Sequence, residues 1–211
     1  MPIVKLVIEN THSFYKVFFQ EHTIEVMVTS TPSIASSWLS NLESRRQRLV
    51  VGLDAEWVRQ DPLAILQLST GNQCLLFQIL HAEEIPLALK NFLENEHNTF
   101  VGVDVDEDVR KLSSQYALDV TNTMDLKPLA RAKGWGGLEN AGLKMLARMV
   151  LGWTVDKDSR VRVSDWNNLS LDDAQVEYAC LDAFVSSKIA EELYAQPDAF
   201  DSSDESEDED E

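Results

Sequence analysis

At 211 residues, 44% of them hydrophobic and 26% charged, the chain has the composition of one globular domain with a full hydrophobic core. No stretch approaches the roughly 18 consecutive apolar residues of a membrane span. The opening MPIVKLVIENTHSFYK lacks the long apolar segment and small-residue cleavage site of a secretory leader, so an intracellular protein of cytoplasm or nucleus is expected. The net charge of −18 argues at first against a polyanionic substrate, but half of it sits in the last fifteen residues.

In chain order, Ile3–Ile8 and residues 14–19 and 23–29 read as strands, with Gln20-Glu21-His22 as a hairpin connection. They make residues 1–30 a β-rich extension of a single domain over residues 1–196. Thr31-Pro32-Ser33 starts a helix, with Ile34, Trp38, Leu39 and Leu42 at helical spacing and the basic cluster Arg45-Arg46-Arg48 closing it. Leu49–Trp57 is apolar almost throughout, as a central strand covered on both faces requires. Strands follow at 63–68 and 73–79, joined by the turn Ser69-Thr70-Gly71-Asn72, then a helix at 85–93 and a buried strand at 99–103. A helix from about Glu107, a short strand at 123–126 and helices at 127–133 and 140–151 come next. Residues 152–170 are polar and irregular, and 171–193 form the last helix.

Cys74 and Cys180 are too few for a disulfide framework or a zinc site and read as reduced, buried thiols. From Pro197 the tail PDAFDSSDESEDEDE has nine acidic residues and no basic one, the composition of a disordered segment. Its Ser202 and Ser206 each have an acid three residues on, a context suited to acidophilic kinases. Strands followed by alternating strands and helices point to an α/β domain with a mixed sheet.

Three acidic motifs stand out. In VVGLDAEW, Asp54 and Glu56 are two residues apart on a strand and leave the same face. At the end of a buried strand two carboxylates are unfavourable unless a cation lies between them, and a divalent metal is the usual solution. The alternative is a strand that has emerged into solvent. In VGVDVDEDVRKL, Asp104, Asp106, Glu107 and Asp108 crowd a strand-to-helix junction, where capping by the helix dipole accounts for most of them. Asp108 stands apart because Leu112, four residues on, anchors the first turn beneath it. In EYACLDAF, Tyr178 and Asp182 share one face of a mostly apolar helix, so Asp182 reads as a buried acid without an obvious basic partner. Together, four carboxylates from three elements have the makings of a site for two Mg²⁺ ions, as two-metal phosphodiester cleavage requires.

These motifs, with SDWNNLSLDDAQVEYACLDAF, resemble the Werner-type DEDDy class of 3′–5′ exonucleases over about residues 49–193. THSFYKVFF, IEVMVTSTPS and LLFQILHAEEIP are similar to the plant branch of that class, which includes the RISC-interacting clearing exoribonucleases. The resemblance implies a ribonuclease-H-like fold and hydrolysis of single-stranded RNA or DNA, RNA first, from the 3′ end to nucleoside 5′-monophosphates. It places metal-binding acids at Asp54, Glu56, Asp108 and Asp182, with Asp106 as the substitute for Asp108. Tyr178 becomes the residue that hydrogen-bonds the attacking water. Two Mg²⁺ ions, replaceable by Mn²⁺, are implied as cofactors, along with a ring-like homo-oligomer (a hexamer) and an Argonaute partner. The class often has glycine where this chain has Asp104 and Glu107, extra acids that would repel a phosphate backbone or bind further metal.

Trp57 is a candidate for stacking on a terminal base, with core packing as the alternative. Lys144, Arg148, Arg160 and Arg162 are candidate phosphate contacts, with simple solvation as theirs. Ser164-Asp165-Trp166 is expected to fix the entry of the last helix. Two other classes compete: a noncatalytic adaptor or oligomer-forming module on the same fold, which should have lost some of the acids, and an acid-lined calcium module, for which no EF-hand loop is present.

Overall fold

The computed structural model describes residues 2–8, 11–43, 48–57 and 62–198. Arg45, Arg46 and the acidic tail from residue 199, with Ser202 and Ser206, lie outside the described residues.

Hydrophobic alternation builds one eight-stranded mixed sheet, in the order β1-β2-β3-β6-β5-β4-β7-β8. Its strands are β1 (Ile3–Ile8), β2 (His12–Phe19), β3 (His22–Thr29), β4 (Leu49–Trp57), β5 (Leu63–Thr70), β6 (Gln73–Phe77), β7 (Asn98–Gly102) and β8 (Thr123–Asp125). The β-rich start is thus one flank of the same sheet, joined to it by parallel pairing of β3 with β6. β4 lies inside, antiparallel to β5 and parallel to β7. The period of two divides the core into two layers. Val51, Leu53 and Ala55 of β4, with Leu75 and Phe77 of β6, pack on one face. Cys74 and Leu76 of β6 and Val26 and Val28 of β3 pack on the other.

The first layer is covered by α1 (Pro32–Glu43), α2 (Leu87–Glu94) and α3 (Val105–Tyr116). The second is covered by α4 (Leu126–Ala132), α5 (Leu143–Leu146) and the 23-residue α7 (Asp173–Ala195). α7 begins in a capping box: the Gln175 backbone N–H donates to Asp172, and Gln175 returns its side chain to the Asp172 backbone. The Gln175 amide also donates to Ser164 Oγ and to the Asp165 carbonyl, both at 3.0 Å, so Ser164-Asp165 and the buried Trp166 brace the entry of α7.

α7 crosses β4 at Gly52. A Cβ built on Gly52 would lie 1.8 Å from the Ala183 carbonyl oxygen, so strand and helix meet backbone to backbone.

Two expectations need correction. The helix read over 140–151 is only α5 followed by a π-helical turn, Ala147–Leu151. Gly142 and the Leu138–Ala141 turn precede it, and its wide turn ends on Gly152 at φ 70°. Within the stretch read as irregular, Asp158 caps a helical turn, α6 (Ser159–Arg162), by accepting the Arg160 N–H. α1 is described as far as Glu43; the Arg45-Arg46 part of the cluster expected to close it lies outside the described residues, and Arg48 is exposed next to β4.

Candidate active site

The pleat that sends Val51, Leu53 and Ala55 into one layer turns Asp54 and Glu56 toward α7. One residue before Ala183 on that helix is Asp182, and one turn earlier is Tyr178. The carboxylate oxygens of Asp54, Glu56 and Asp182 all lie within 4.8 Å of one another, a group with the spacing to hold a metal ion. They floor a cavity of about 530 Å³, whose walls include Trp57, Leu143, Arg162, Val163 and Tyr178.

Crowded burial drives each of these acids toward its neutral form. Asp54 is raised well above the usual carboxylate range by desolvation, then by the charges of Asp182, Asp108 and Glu56. Glu56 is pushed to about 8 by desolvation and by Asp182. Asp182 is raised by desolvation, against the lowering effect of Lys157. Tyr178 is raised by burial and by Asp182, Glu56 and Asp54, which keeps its phenol protonated at neutral pH.

Asp108, on the first turn of α3, is 5% exposed above the fully buried Leu112. It is not one of the three converging acids, but its charge reaches both Asp54 and Glu56. Burial lifts it to about 7, followed by repulsion from Glu107. Asp106 and Glu107 beside it are exposed. Asp104 holds the junction in a left-handed conformation (φ 56°, ψ 32°), its N–H donating to Asp125 Oδ2 at 2.6 Å and its carboxylate paired with Lys127. Glu107 faces Arg110 at 3.6 Å.

Asp182 does have a basic partner, contrary to the reading from sequence. Lys157 lies in the segment between α5 and α6; its ammonium pairs with Asp182 Oδ1 and sits 3.6 Å from the centre of the Tyr178 ring. Nothing in the polar run around Lys157 singles it out, because only the fold brings it back under α7. A second unforeseen residue is Gln67, fully buried on β5 directly opposite Asp54. With its amide nitrogen turned toward its two acceptors, it donates to Asp54 Oδ2 (3.2 Å) and to the Ala179 carbonyl (2.8 Å). A lone amide within the apolar AILQL was the available signal.

The candidate substrate residues separate. Trp57 is half-buried against the core and also lines the cavity, with Lys111 Nζ 4.7 Å from its ring centre. Arg162 lines the cavity too. Arg160 is instead tied to Asp158, its Nη2 2.6 Å from the carboxylate, which holds Asp158 near 2. Lys144 donates to the Lys157 carbonyl at 2.9 Å and so anchors that segment. Arg148 is exposed on the π-helical turn, away from the cavity wall. Both cysteines are buried and form no disulfide, with burial raising the Cys180 thiol. Among the described residues no helix is long and apolar enough to cross a membrane.

Residues 26–196 match the family described as 3′-5′ exonuclease. Exonuclease 3′-5′ domain-containing protein 2 of Drosophila melanogaster is 34% identical over 82% of this chain and 30% of its own length. An Arabidopsis thaliana 3′-5′ exonuclease is 31% identical over 71% of this chain and 54% of its own. The chain thus spans less than two thirds of these relatives. The crystal structure of the EXD2 exonuclease domain soaked in Mn and dGMP is 30% identical, covers 81% of this chain and 89% of its own, and superposes with a TM-score of 0.50. Escherichia coli RNase D, at 22% identity, covers 85% of this chain and 46% of its own with a TM-score of 0.68, so the mixed sheet with flanking helices is the ribonuclease-H-like arrangement expected. By the extent of these matches, the chain belongs to the 3′–5′ exonuclease family.

Proposed function

We propose that the protein is a metal-dependent 3′–5′ exonuclease that hydrolyses single-stranded nucleic acid from its 3′ end to nucleoside 5′-monophosphates. The observation that carries this reading is the convergence of Asp54, Glu56 and Asp182 at the floor of a cavity whose size suits a ligand as large as one nucleotide. Such a donor set, all carboxylate oxygen, fits hard divalent ions, and structures of the related EXD2 domain were soaked in Mn and dGMP and in Mg and GMP. Asp54, Glu56 and Asp182 would hold the metal, with Asp108 completing a two-ion set from the adjoining helix. Bound there, Mg²⁺ or Mn²⁺ supplies an activated water and neutralises charge on the scissile phosphate.

The chain's own residues do the rest. Tyr178, held as a neutral phenol, orients the attacking water by hydrogen bonding rather than by taking its proton. Gln67 fixes the Asp54 carboxylate against α7. Trp57 offers a ring at the cavity wall for the terminal base, and Arg162 offers a guanidinium for phosphate. RNA is the favoured substrate, by resemblance to the plant branch; that resemblance also extends the proposal to a homo-hexamer, an Argonaute partner and a cytoplasmic or nuclear location.

Oligonucleotides labelled at the 3′ or the 5′ end, as RNA and as DNA, test this in the presence of Mg²⁺. Loss of the 3′ label as mononucleotide, abolished by EDTA and by Asp54→Ala, is expected. Intact substrate throughout, or activity surviving Asp54→Ala, overturns it.

A further inference from the structure

A lysine ammonium is costly to bury, yet the Lys157 side chain is only 5% exposed, beside an Asp182 that is 13% exposed. Its place is well fixed. Lys144 holds the Lys157 carbonyl, and Asp158, the next residue, caps α6. The ammonium then reaches one oxygen of Asp182 beneath the face of Tyr178. It thereby meets one member of the converging carboxylate group and the tyrosine above it together. Three acids that crowded are relieved in the folded chain by taking up protons or by a nearby positive charge, and Lys157 supplies that charge whether or not a divalent ion is bound.

We infer that Lys157 is a resident counter-cation: it neutralises Asp182 and fixes Tyr178 in the metal-free protein, and its charge opposes a divalent ion at the same carboxylates. This rests on reading Asp54, Glu56 and Asp182 as a metal site. Lys157 is on this account a positioning residue that also sets metal affinity. A site tempered in this way gains most from a second source of negative charge, the phosphate of the substrate, so metal and nucleic acid bind better together than either does alone. An aliphatic side chain of similar length would leave the acids uncompensated when empty and unopposed when loaded.

The test titrates the full chain with Mn²⁺, following free Mn²⁺ by electron paramagnetic resonance, and records thermal melts without metal. Lys157→Met should bind Mn²⁺ about tenfold more tightly, the scale of one nearby unit charge acting on a divalent ion in a solvated site. Its metal-free melting temperature should fall, and Lys157→Arg should return both values toward those of the parent. If Lys157→Met does not fold, Lys157→Gln carries the same comparison. Unchanged or weaker Mn²⁺ binding in the neutral variant, with Asp54→Asn abolishing binding, overturns the role of Lys157 and leaves the metal site standing. Absence of binding in the parent, or parent-like binding in Asp54→Asn, overturns the metal site and this inference with it.

Discussion

Two acidic stretches of this chain, one of two acids and one of four, sit in opposite environments. On β4, Asp54 and Glu56 both face the cavity floor, where burial drives them toward the neutral form. At the start of α3, four acids fall within five residues, and only Asp108 is buried. The others point to water or to Lys127 and Arg110. What distinguishes a candidate ligand here is the cost of desolvation, which a carboxylate bears only where the fold leaves it no alternative. The number of acids carries little information.

The sharpest way to break this contrast is to neutralise one acid from each group. Asp54→Asn should lower nuclease activity at least about a hundredfold, while Asp106→Asn should stay within about twofold. Initial rates on a 3′-labelled RNA measure both, and equal losses would erase the distinction. Gln67→Leu should come next, with activity or metal affinity reduced roughly 10- to 100-fold, as for other groups that orient a ligand. A folded Gln67→Leu protein with parent-like kinetics would show that Asp54 needs no such support.

Stability against pH separates the groups without any substrate. Glu56 and Asp108 sit near 8 and 7 in the fold, above their ordinary values of 4.5 and 3.8. A raised carboxylate favours the folded state fully below its unfolded pKa, and that contribution is lost as pH rises through the folded value. The metal-free protein should therefore melt at lower temperature as pH goes from 5 to 8, by on the order of 5 °C. Saturating Mn²⁺ should remove most of that slope, Asp54→Asn should reduce it, and Asp106→Asn should leave it alone. A melting temperature that climbs over this range would contradict the shifts. The smallest effect is expected at Asp104→Gly, where relief of a left-handed backbone offsets a lost contact to Lys127; urea melts should show a change within about 1 kcal/mol.

The sequence made β4 legible because both periodicity and chemistry peak there: an apolar run that ends in two acids on one face. The carboxylate and phenol one turn apart on α7 carried little weight alone and gained meaning only beside the other acidic motifs. Lys157 was illegible for a physical reason. Its significance depends on a segment returning beneath α7, and charge in a polar run carries no sign of its eventual partner. The helix expected over 140–151 starts only after Gly142, whose extended backbone precedes its first turn, and widens to a π-helical turn from Ala147. Arg160 and Lys144 are each engaged within the chain, by Asp158 and by the Lys157 carbonyl, and nothing in their local sequence signalled those partners.

Gly52 gives the site a fixed datum. Because β4 and α7 touch through main-chain atoms, the gap that sets Asp54 against Asp182 does not depend on the volume of any side chain wedged between strand and helix. The surrounding core can exchange leucine for isoleucine or valine over many generations, and the separation of the acids need not drift with it. Such a joint confines the sequence constraint to one small residue and leaves the rest of the layer free to vary.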